Sequence, residues 1–284
     1  MKPASQPVPS RQSVSGHLRL RCERNNAGVS YLAKKEFKSP IHISKPYWDE
    51  NSLLLNLMCP TAGMLGGDKV ELEVSVGPGA SLTLSNPSSL RIHKMDAGSE
   101  ANWNQSFRVS RDAFLENNPE WLILQGESTF TQRSSIDVEE GGELFFIEAI
   151  APGRIAHQES FAFRQFSNRL AFRYQNKLAL LEKHCISPEL GTSAAWDNEL
   201  GGKHPFYISI LLASPKLDSS SSLWSEIREL QQDKVRIGSS SLAQKSTWCV
   251  KILAADPIAA RSVLKSVRDS FYREIGRSPA SLRR

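Results

Sequence analysis

The sequence predicts a mainly β protein made of layered antiparallel sheets, either sandwich-like or β-helical, with a small helical element at its carboxyl end. Two observations support this prediction. Runs of alternating apolar and polar residues recur about every 8–12 residues over most of the chain, as they do in all-β folds. The clearest helical pattern comes only near the end of the chain.

The strand pattern is cleanest in the segment KVELEVSV at 69–76, where apolar residues alternate strictly with polar ones. Gly77-Pro78-Gly79 follows it, and SLTLS at 81–85 resumes the pattern, which predicts a turn between two paired strands. The other predicted strands are 16–24, 53–58, 104–110, 121–125, 130–138, 143–150, 159–163, 169–175, 178–186 and 206–213. Two of them, 143–150 and 206–213, are so apolar that we expect an exposed patch for a partner protein.

The carboxyl-terminal helix is predicted over 256–276. Asp256 is a good N-cap residue, Pro257 suits the first helical position, and Gly276 suits the left-handed residue that ends a helix. Apolar residues recur between these signals at the spacing of one helix face. A second helix is predicted at about 222–232.

Length and composition indicate one folded domain. The 284 residues are 40% hydrophobic and 23% charged, which is the balance of a globular protein. We predict a disordered tail at 1–15 and a single domain at 16–284. No apolar run approaches the ~20 residues of a membrane-spanning helix, so no membrane association is expected. The cysteines are widely spaced and the amino terminus lacks a signal-peptide pattern, which predicts reduced thiols and a cytoplasmic location.

Basic residues concentrate at the two ends of the chain, whose net charge is +5. The last segment, 261–284, holds seven basic residues against two acidic ones. Nucleic-acid-binding proteins usually interleave basic and aromatic residues along the folded body. We therefore expect no nucleic-acid partner.

The segment CPTAGMLGGDKVEL at 59–72 is the densest candidate for function. A phosphate-binding loop would need Gly-Lys-Ser/Thr leading into a helix, whereas Gly66-Gly67-Asp68 leads into a strand. The structural interpretation is a tight turn in which Asp68 bonds to the backbone of its own turn. The sequence contains neither a GxSxG nor an HExxH motif.

Two acidic residues lie beside strongly apolar sequence. Glu148 ends the predicted strand at 143–150, and Glu159 closely follows Gly153-Arg154. A carboxylate in such surroundings pays a desolvation cost unless a partner compensates it. An ion pair of Arg154 with Glu148 or Glu159 is one interpretation, and a carboxylate that passes a cation is the alternative.

The order of several short motifs resembles the urease accessory protein UreD family, also called UreH. The resemblance covers roughly residues 16 to 280. The matching motifs are Gly-x-Leu-x-Leu at 16–20, the Pro-rich lead into Gly-Gly-Asp at 60–68 with its strand and Pro-Gly turn, a Leu-Glu-Asn-Asn-Pro segment at 115–119, the acidic Glu148, Gly153-Arg154, Glu-x-Phe at 159–161, and a final helix that ends near Gly-Arg-Ser-Pro at 276–279.

Several departures make this chain a divergent member. They are Ala62 where the family usually has Gly, Arg91-Ile92-His93-Lys94 in place of Lys-x-Tyr-Arg, Gln125-Gly126-Glu127 in place of Pro-Gly-Ala, Gln158 in place of Gly, and the lack of a final Arg-x-Trp.

The resemblance implies a urease maturation factor that is not an enzyme. Proteins of this family bind the urease apoprotein and the accessory protein UreF, which recruits the GTPase UreG with its nickel. The implied partners are a UreF-like protein, a UreG-like GTPase bound through it, and the urease apoprotein. The resemblance implies no tightly bound cofactor, only transient Ni²⁺ that crosses an internal water-filled passage toward the urease active site.

Four residues are predicted to line this passage: Asp68, His93, Glu148 and Glu159. Asp68 and Glu159 fall on family motif positions, and His93 replaces a family aromatic with an imidazole that can bind nickel. The remaining motif positions are predicted to be structural: Gly66, Gly67, Gly153 and Arg154. A rival function of another class is a β-sandwich hydrolase or carbohydrate-binding module that uses Asp68, His93 and Glu159.

Overall fold

The computed structural model describes residues 13–61, 63–191 and 205–282. The first strand begins at Ser15, and residues 1–12 of the predicted disordered tail lie outside the described residues. The extent of a single domain over 16–284 stays a prediction.

Strands dominate the described chain, and the helices come late. The first ten strands are β1 (Ser15–Arg24), β2 (Ser30–Lys38), β3 (His42–Ile43), β4 (Tyr47–Asp49), β5 (Ser52–Met58), β6 (Lys69–Val76), β7 (Ser81–Ser85), β8 (Leu90–Ile92), β9 (Ala101–Val109) and β10 (Phe114–Asn118). The others are β11 (Leu122–Leu124), β12 (Thr129–Val138), β13 (Glu143–Ala151), β14 (Gly153–Arg154), β15 (Glu159–Ser160), β16 (Gln165–Tyr174), β17 (Lys177–Ile186), β18 (Phe206–Ala213), β19 (Val235–Ser241) and β20 (Thr247–Ala254). The helices are α1 (Leu223–Glu229) and α2 (Pro257–Glu274).

Two large sheets make up the fold. The first has the strand order β17-β16-β12-β9-β6-β1-β2. The second has the order β19-β20-β18-β13-β10-β7-β5-β3, with β4, β8 and β11 attached beside this path. The strands β14 and β15 form a separate small ribbon. The predicted class, mainly β layers with a carboxyl-terminal helix, is confirmed.

The pairing inside the layers corrects the antiparallel detail of that prediction. The run β1-β6-β9-β12-β16 of the first sheet is parallel, and so is the run β5-β7-β10-β13 of the second. Antiparallel pairing occurs toward the edges, for example between β1 and β2 and between β13 and β18. The central layers therefore stack like the coils of a β-helix, the second of the two predicted architectures.

The turns explain why the pairing is parallel. Gly77-Pro78-Gly79 links β6 to β7, but these strands lie in different sheets, so the prediction that they pair is wrong. The left-handed conformation of Gly79, with φ +65°, helps the chain cross from one layer to the other. Each such crossing returns the next strand of a sheet in the same direction, which produces parallel neighbours.

The main core lies between the two sheets. Apolar residues at every second strand position point inward, as in β6, where Val70, Leu72 and Val74 are buried. Phe107 of the first sheet and Phe146 of the second meet edge to face, with ring centroids 5.1 Å apart. Burial of these side chains is the main source of stability of the layered fold.

A second core forms where the helices cover the outer face of the second sheet. It contains Phe145 of β13, Ile208 of β18 and Phe271 of α2, all fully buried. Every residue of β13 and β18 is therefore buried, and the predicted exposed apolar patch on these two strands is wrong. Their strong apolar character reflects burial on both faces.

The carboxyl-terminal helix follows its sequence signals. Asp256 accepts hydrogen bonds from the backbone N–H groups of Ile258 (3.0 Å) and Ala259 (2.8 Å), and Pro257 begins the helix. Gly276 has φ +66° just after the helix ends. No helix among the described residues is long and apolar enough to cross a membrane.

Candidate functional site

The Gly-Gly-Asp motif forms a turn that holds the start of β1. Asp68 is buried, and its Oδ1 accepts a hydrogen bond from the backbone N–H of Val14 at 2.9 Å. Its Oδ2 accepts one from the backbone N–H of Leu65 at 2.8 Å. Gly67 has φ +88°, a conformation that favours glycine. These contacts agree with the turn-forming interpretation of Asp68, whose membership of a nickel passage stays a prediction.

His93 lies against the same Gly-rich segment. Its backbone N–H donates to the carbonyl of Met64 at 2.9 Å, and the residue is half-buried. A Cβ atom on Gly63 would come within 2.9 Å of His93 Nε2 and 2.2 Å of the Arg91 carbonyl oxygen. A Cβ on Gly66 would come within 2.9 Å of the Cβ of Ser99. The glycines therefore let this segment pack closely.

Glu159 is the carboxylate that pairs with Arg154. Its Oε2 accepts from Arg154 Nε at 2.8 Å and from the backbone N–H of Gly126 at 3.0 Å, while its Oε1 also contacts Arg154. The hydrogen bonds from Arg154 and Gly126 lower the pKa of Glu159 to about 2. A Cβ on Gly153 would meet the Glu159 carbonyl oxygen at 2.1 Å, so glycine is required there. The predicted strand 159–163 ends after Ser160, because Phe161 has φ +49°.

The Glu159–Arg154 pair predicts a pH-dependent contribution to stability. The pKa of Glu159 is about 2 in the folded chain against an ordinary 4.5, so the contribution is present above about pH 4.5 and is lost as the pH falls toward 2. Glu159→Gln should therefore lower the free energy of unfolding by about 1–2 kcal/mol at pH 7, and this difference should shrink to a small fraction of its pH 7 value by pH 2.5. Denaturant unfolding from pH 7 to pH 2.5 measures this, with the exposed Glu140→Gln as control. A difference that does not shrink on acidification contradicts the prediction.

Glu148 lies in a different environment, between the two sheets. It is 8% exposed. Its Oε1 accepts from Gln132 Nε2 at 2.8 Å and Ser134 Oγ at 3.0 Å, and its Oε2 accepts from Asn168 Nδ2 at 2.9 Å. These partners come from β12 and β16 of the opposite sheet and are all neutral. Burial raises the pKa of Glu148, although the bonds from Asn168 and Ser134 oppose that shift. The alternative in which Arg154 pairs with Glu148 is not the arrangement observed.

Polar groups and open volume surround this carboxylate. A cavity of about 70 Å³ is lined by Glu148 together with Trp103, Gln105, Asn117 and Gln132, and this volume can hold more than one water molecule. The buried Asn168 Oδ1 and His184 Nε2 have no hydrogen-bond partner among the described residues. The interior of the fold is therefore polar and incompletely hydrogen-bonded at this point.

A charged network lies next to Glu148 on the side of β17, β18 and β20. Lys251 Nζ donates to both carboxylate oxygens of Glu182 at 2.6 Å and to Ser209 Oγ at 3.0 Å. His184 Nδ1 lies 3.6 Å from Glu182 Oε1. Burial opposes ionisation of Glu182, yet the nearby His184 ring and the hydrogen bonds from Lys251 lower its pKa to about 2. Both His184 and Glu182 influence the pKa of Glu148, so Glu148 and this charged network form one interior polar region.

The structure thus separates the predicted site residues. Asp68, Glu148 and Glu159 each have their own partners. Residues 13–61, 63–191 and 205–282 contain no cluster of three or more His, Cys, Asp or Glu side chains that could hold a metal ion. Sequence reasoning missed the residues that surround Glu148. The only signal for them is that polar residues interrupt the inward-facing positions of three strands, at Gln132, Asn168 and Glu182.

The fold and this interior define a class: a two-layered, partly parallel β protein with a buried polar region between its sheets and helices over one face. The model of the family "UreD urease accessory protein" matches residues 14–284. The chain belongs to the UreD urease accessory protein family, and its role is that of a urease accessory protein.

Curated relatives agree with the family assignment. A urease accessory protein UreD of Opitutus terrae is 33% identical over 257 residues, which cover 89% of this chain and 93% of the relative. The UreD of Acetivibrio thermocellus is 26% identical over 247 residues, 86% of this chain and 93% of the relative. A UreD of Haemophilus influenzae is 32% identical over 180 residues, 61% of this chain and 66% of the relative.

Proposed function

We propose that this chain, within a complex with a UreF-like protein and a UreG-like GTPase, conducts Ni²⁺ to the urease apoprotein through the polar interior around Glu148. It acts by binding and passing the ion and performs no bond chemistry. Its cytoplasmic location stays a prediction. The observation that supports the route is a buried carboxylate whose hydrogen-bond donors are all neutral.

The electrostatics of Glu148 favour a visiting cation. A buried carboxylate is costly to ionise unless a charge compensates it, and its raised pKa reflects that cost. A divalent cation supplies the missing charge, so its arrival favours the ionised carboxylate and releases a proton when the group was protonated. Capture of Ni²⁺ at Glu148 should therefore strengthen as the pH rises.

The donor atoms near Glu148 suit nickel as a passing ion. Ni²⁺ accepts imidazole and carboxylate ligands, and His184 Nε2 is a buried ring nitrogen without a hydrogen-bond partner among the described residues. The Glu148 carboxylate already accepts three hydrogen bonds, which compete with a metal for its lone pairs. A moderate affinity follows, as release to the next protein requires.

The rival hydrolase or carbohydrate-binding function is less well supported. Asp68 accepts two backbone hydrogen bonds, and Glu159 is held by Arg154 and Gly126. A general acid or base needs a titratable proton near neutral pH, whereas the pKa of Glu159 is about 2. These two carboxylates accept hydrogen bonds from backbone N–H groups and so stabilise the local backbone.

Coexpression tests the proposed function. Urease subunits are produced with the UreF-like and UreG-like proteins, with and without a tagged copy of this chain. We expect the tagged chain to copurify with the UreF-like protein and the urease apoprotein, and urease made without it to contain little nickel by mass spectrometry. Fully nickel-loaded urease in the absence of this chain, or the absence of any copurifying partner, contradicts the proposal.

A further inference from the structure

The outer face of the first sheet carries a row of cations at directly opposed positions. Arg133 of β12 is the register partner of Arg169 of β16, which is in turn the partner of Lys183 of β17. All three side chains are exposed. Like charges directly opposite each other on a sheet are destabilising, and no ion pair to these three is found among the described residues. This row of like charges therefore destabilises the isolated fold.

A groove runs beside this row, across the strands. Its floor is the adjacent register row of small residues, Ser106, Ser135 and Ala171. The groove has a volume of about 510 Å³. Arg173 lies on its far side, where its guanidinium is 3.7 Å from the carboxylate of Asp137. Leu181, which is 48% exposed, continues the floor at one end, whereas Glu73 continues it at the other.

The dimensions of the groove match an α-helix laid across the strands. Neighbouring strands are about 5 Å apart, so the cations of the row repeat at about 5 Å. Side chains three or four apart on a helix repeat at about 5–6 Å. The rows of Arg133 and Arg173 are four strand positions apart, or about 13 Å, which accommodates a helix about 10–12 Å in diameter.

We propose that this groove, lined by Arg133, Arg169, Arg173 and the Ser106–Ser135–Ala171 floor, docks an α-helix of a partner protein that carries a stripe of acidic residues three or four positions apart. The cations of the Arg133–Arg169–Lys183 row select the acidic stripe by charge complementarity, and exposed Leu181 offers an apolar contact at one end. Glu71 and Glu73 at the opposite end disfavour a uniformly anionic ligand such as a nucleic acid. The surface is separate from the interior nickel route.

Binding of defined peptides to the full chain tests the groove. The probe is a helical Ala-based peptide with Glu on one face, and its controls are a scrambled peptide of equal composition with Glu on all faces and an oligonucleotide of equal charge. We expect the striped peptide to bind at least about tenfold more tightly than either control. Arg133→Glu/Arg169→Glu should abolish that preference, whereas Arg111→Glu/Arg228→Glu, which reverses two exposed arginines elsewhere, should keep it. Equal binding of striped and scrambled peptides, or tighter binding of the oligonucleotide, overturns the proposal.

A stability measurement separates a docking role from a structural one. Arg169→Gln should raise the melting temperature of the free chain, because it removes repulsion from the row, and should weaken peptide binding. A lowered melting temperature shows that Arg169 stabilises the fold and contradicts the proposal. In the coexpressed complex, an Arg133→Glu/Arg169→Glu variant that retains every partner at all salt concentrations also contradicts the docking proposal. Failure of the wild-type chain to bind any partner contradicts the proposed function alone.

Discussion

Urease coexpressed with the Glu148→Gln variant is expected to contain at most about a tenth of the nickel found with the wild-type chain. The substitution keeps the shape of the side chain and an acceptor for Gln132 and Ser134, but it removes the charge that attracts the cation. Changes in the groups around a metal ligand typically reduce metal affinity by about 10–100-fold, and the carboxylate itself should matter at least as much. Nickel per urease active site, measured by mass spectrometry, gives the result.

Two controls distinguish a lost route from a lost fold. The free energy of unfolding of Glu148→Gln should be equal to or above that of the wild type, because burial already disfavours the charged carboxylate. Glu159→Gln removes a carboxylate that is held by Arg154 and should reduce nickel loading much less. Normal nickel loading by Glu148→Gln in an intact complex places the route elsewhere.

Arg268→Met is expected to lower the free energy of unfolding by about 3–5 kcal/mol. Glu116 of β10 is completely buried beneath α2, and Arg268 binds both of its oxygens, through Nε at 2.6 Å and Nη2 at 2.9 Å. Arg268 Nη2 also donates to the carbonyl of Ala280 at 2.9 Å, which fixes the carboxyl-terminal segment. Without the guanidinium, Glu116 keeps only its neutral donors Tyr272 and Asn118 and becomes a buried charge without a counterion.

The matched control is Lys265→Met on the same helix. Lys265 pairs with Asp269 one turn later, and both side chains are well exposed (75% and 42%), so the loss should be below about 1 kcal/mol. The double variant Glu116→Leu/Arg268→Met should recover much of the stability lost in Arg268→Met, because it removes the stranded charge. Urea unfolding of the three variants measures these values, and equal losses at Lys265 and Arg268 contradict the structural assignment.

Local sequence signals predicted the elements better than their arrangement. The alternation in 69–76 and the Asp256–Pro257 signal give β6 and the start of α2 at the residues observed. The strand β10 was not predicted because its residues Glu116, Asn117 and Asn118 are polar. The ion pair with Arg268 and hydrogen bonds allow these residues to be buried. A turn such as 77–79 has the same local chemistry whether it joins paired strands or two layers, so the parallel stacking could not be read from it.

At the candidate site, too, individual residues were predicted better than their contacts. The desolvation argument correctly singled out Glu148 as buried, and Arg154 as an ion-pair partner for Glu159. The same argument could not identify the hydrogen-bond donors to Glu148, because Gln132 and Asn168 lie on strands of the opposite sheet. Which residues face each other across two layers depends on how the whole chain coils, and no local pattern in the sequence specifies that.

Anomalous X-ray scattering at the nickel absorption edge tests the interior route most directly. Crystals of the chain with its coexpressed partner would be soaked in Ni²⁺, with crystals of Glu148→Gln treated identically. We expect an anomalous peak beside the Glu148 carboxylate, between β13 and β16, that is missing from the variant. Nickel found only outside the space between the two sheets, or an interior peak unchanged in Glu148→Gln, would contradict nickel conduction at Glu148.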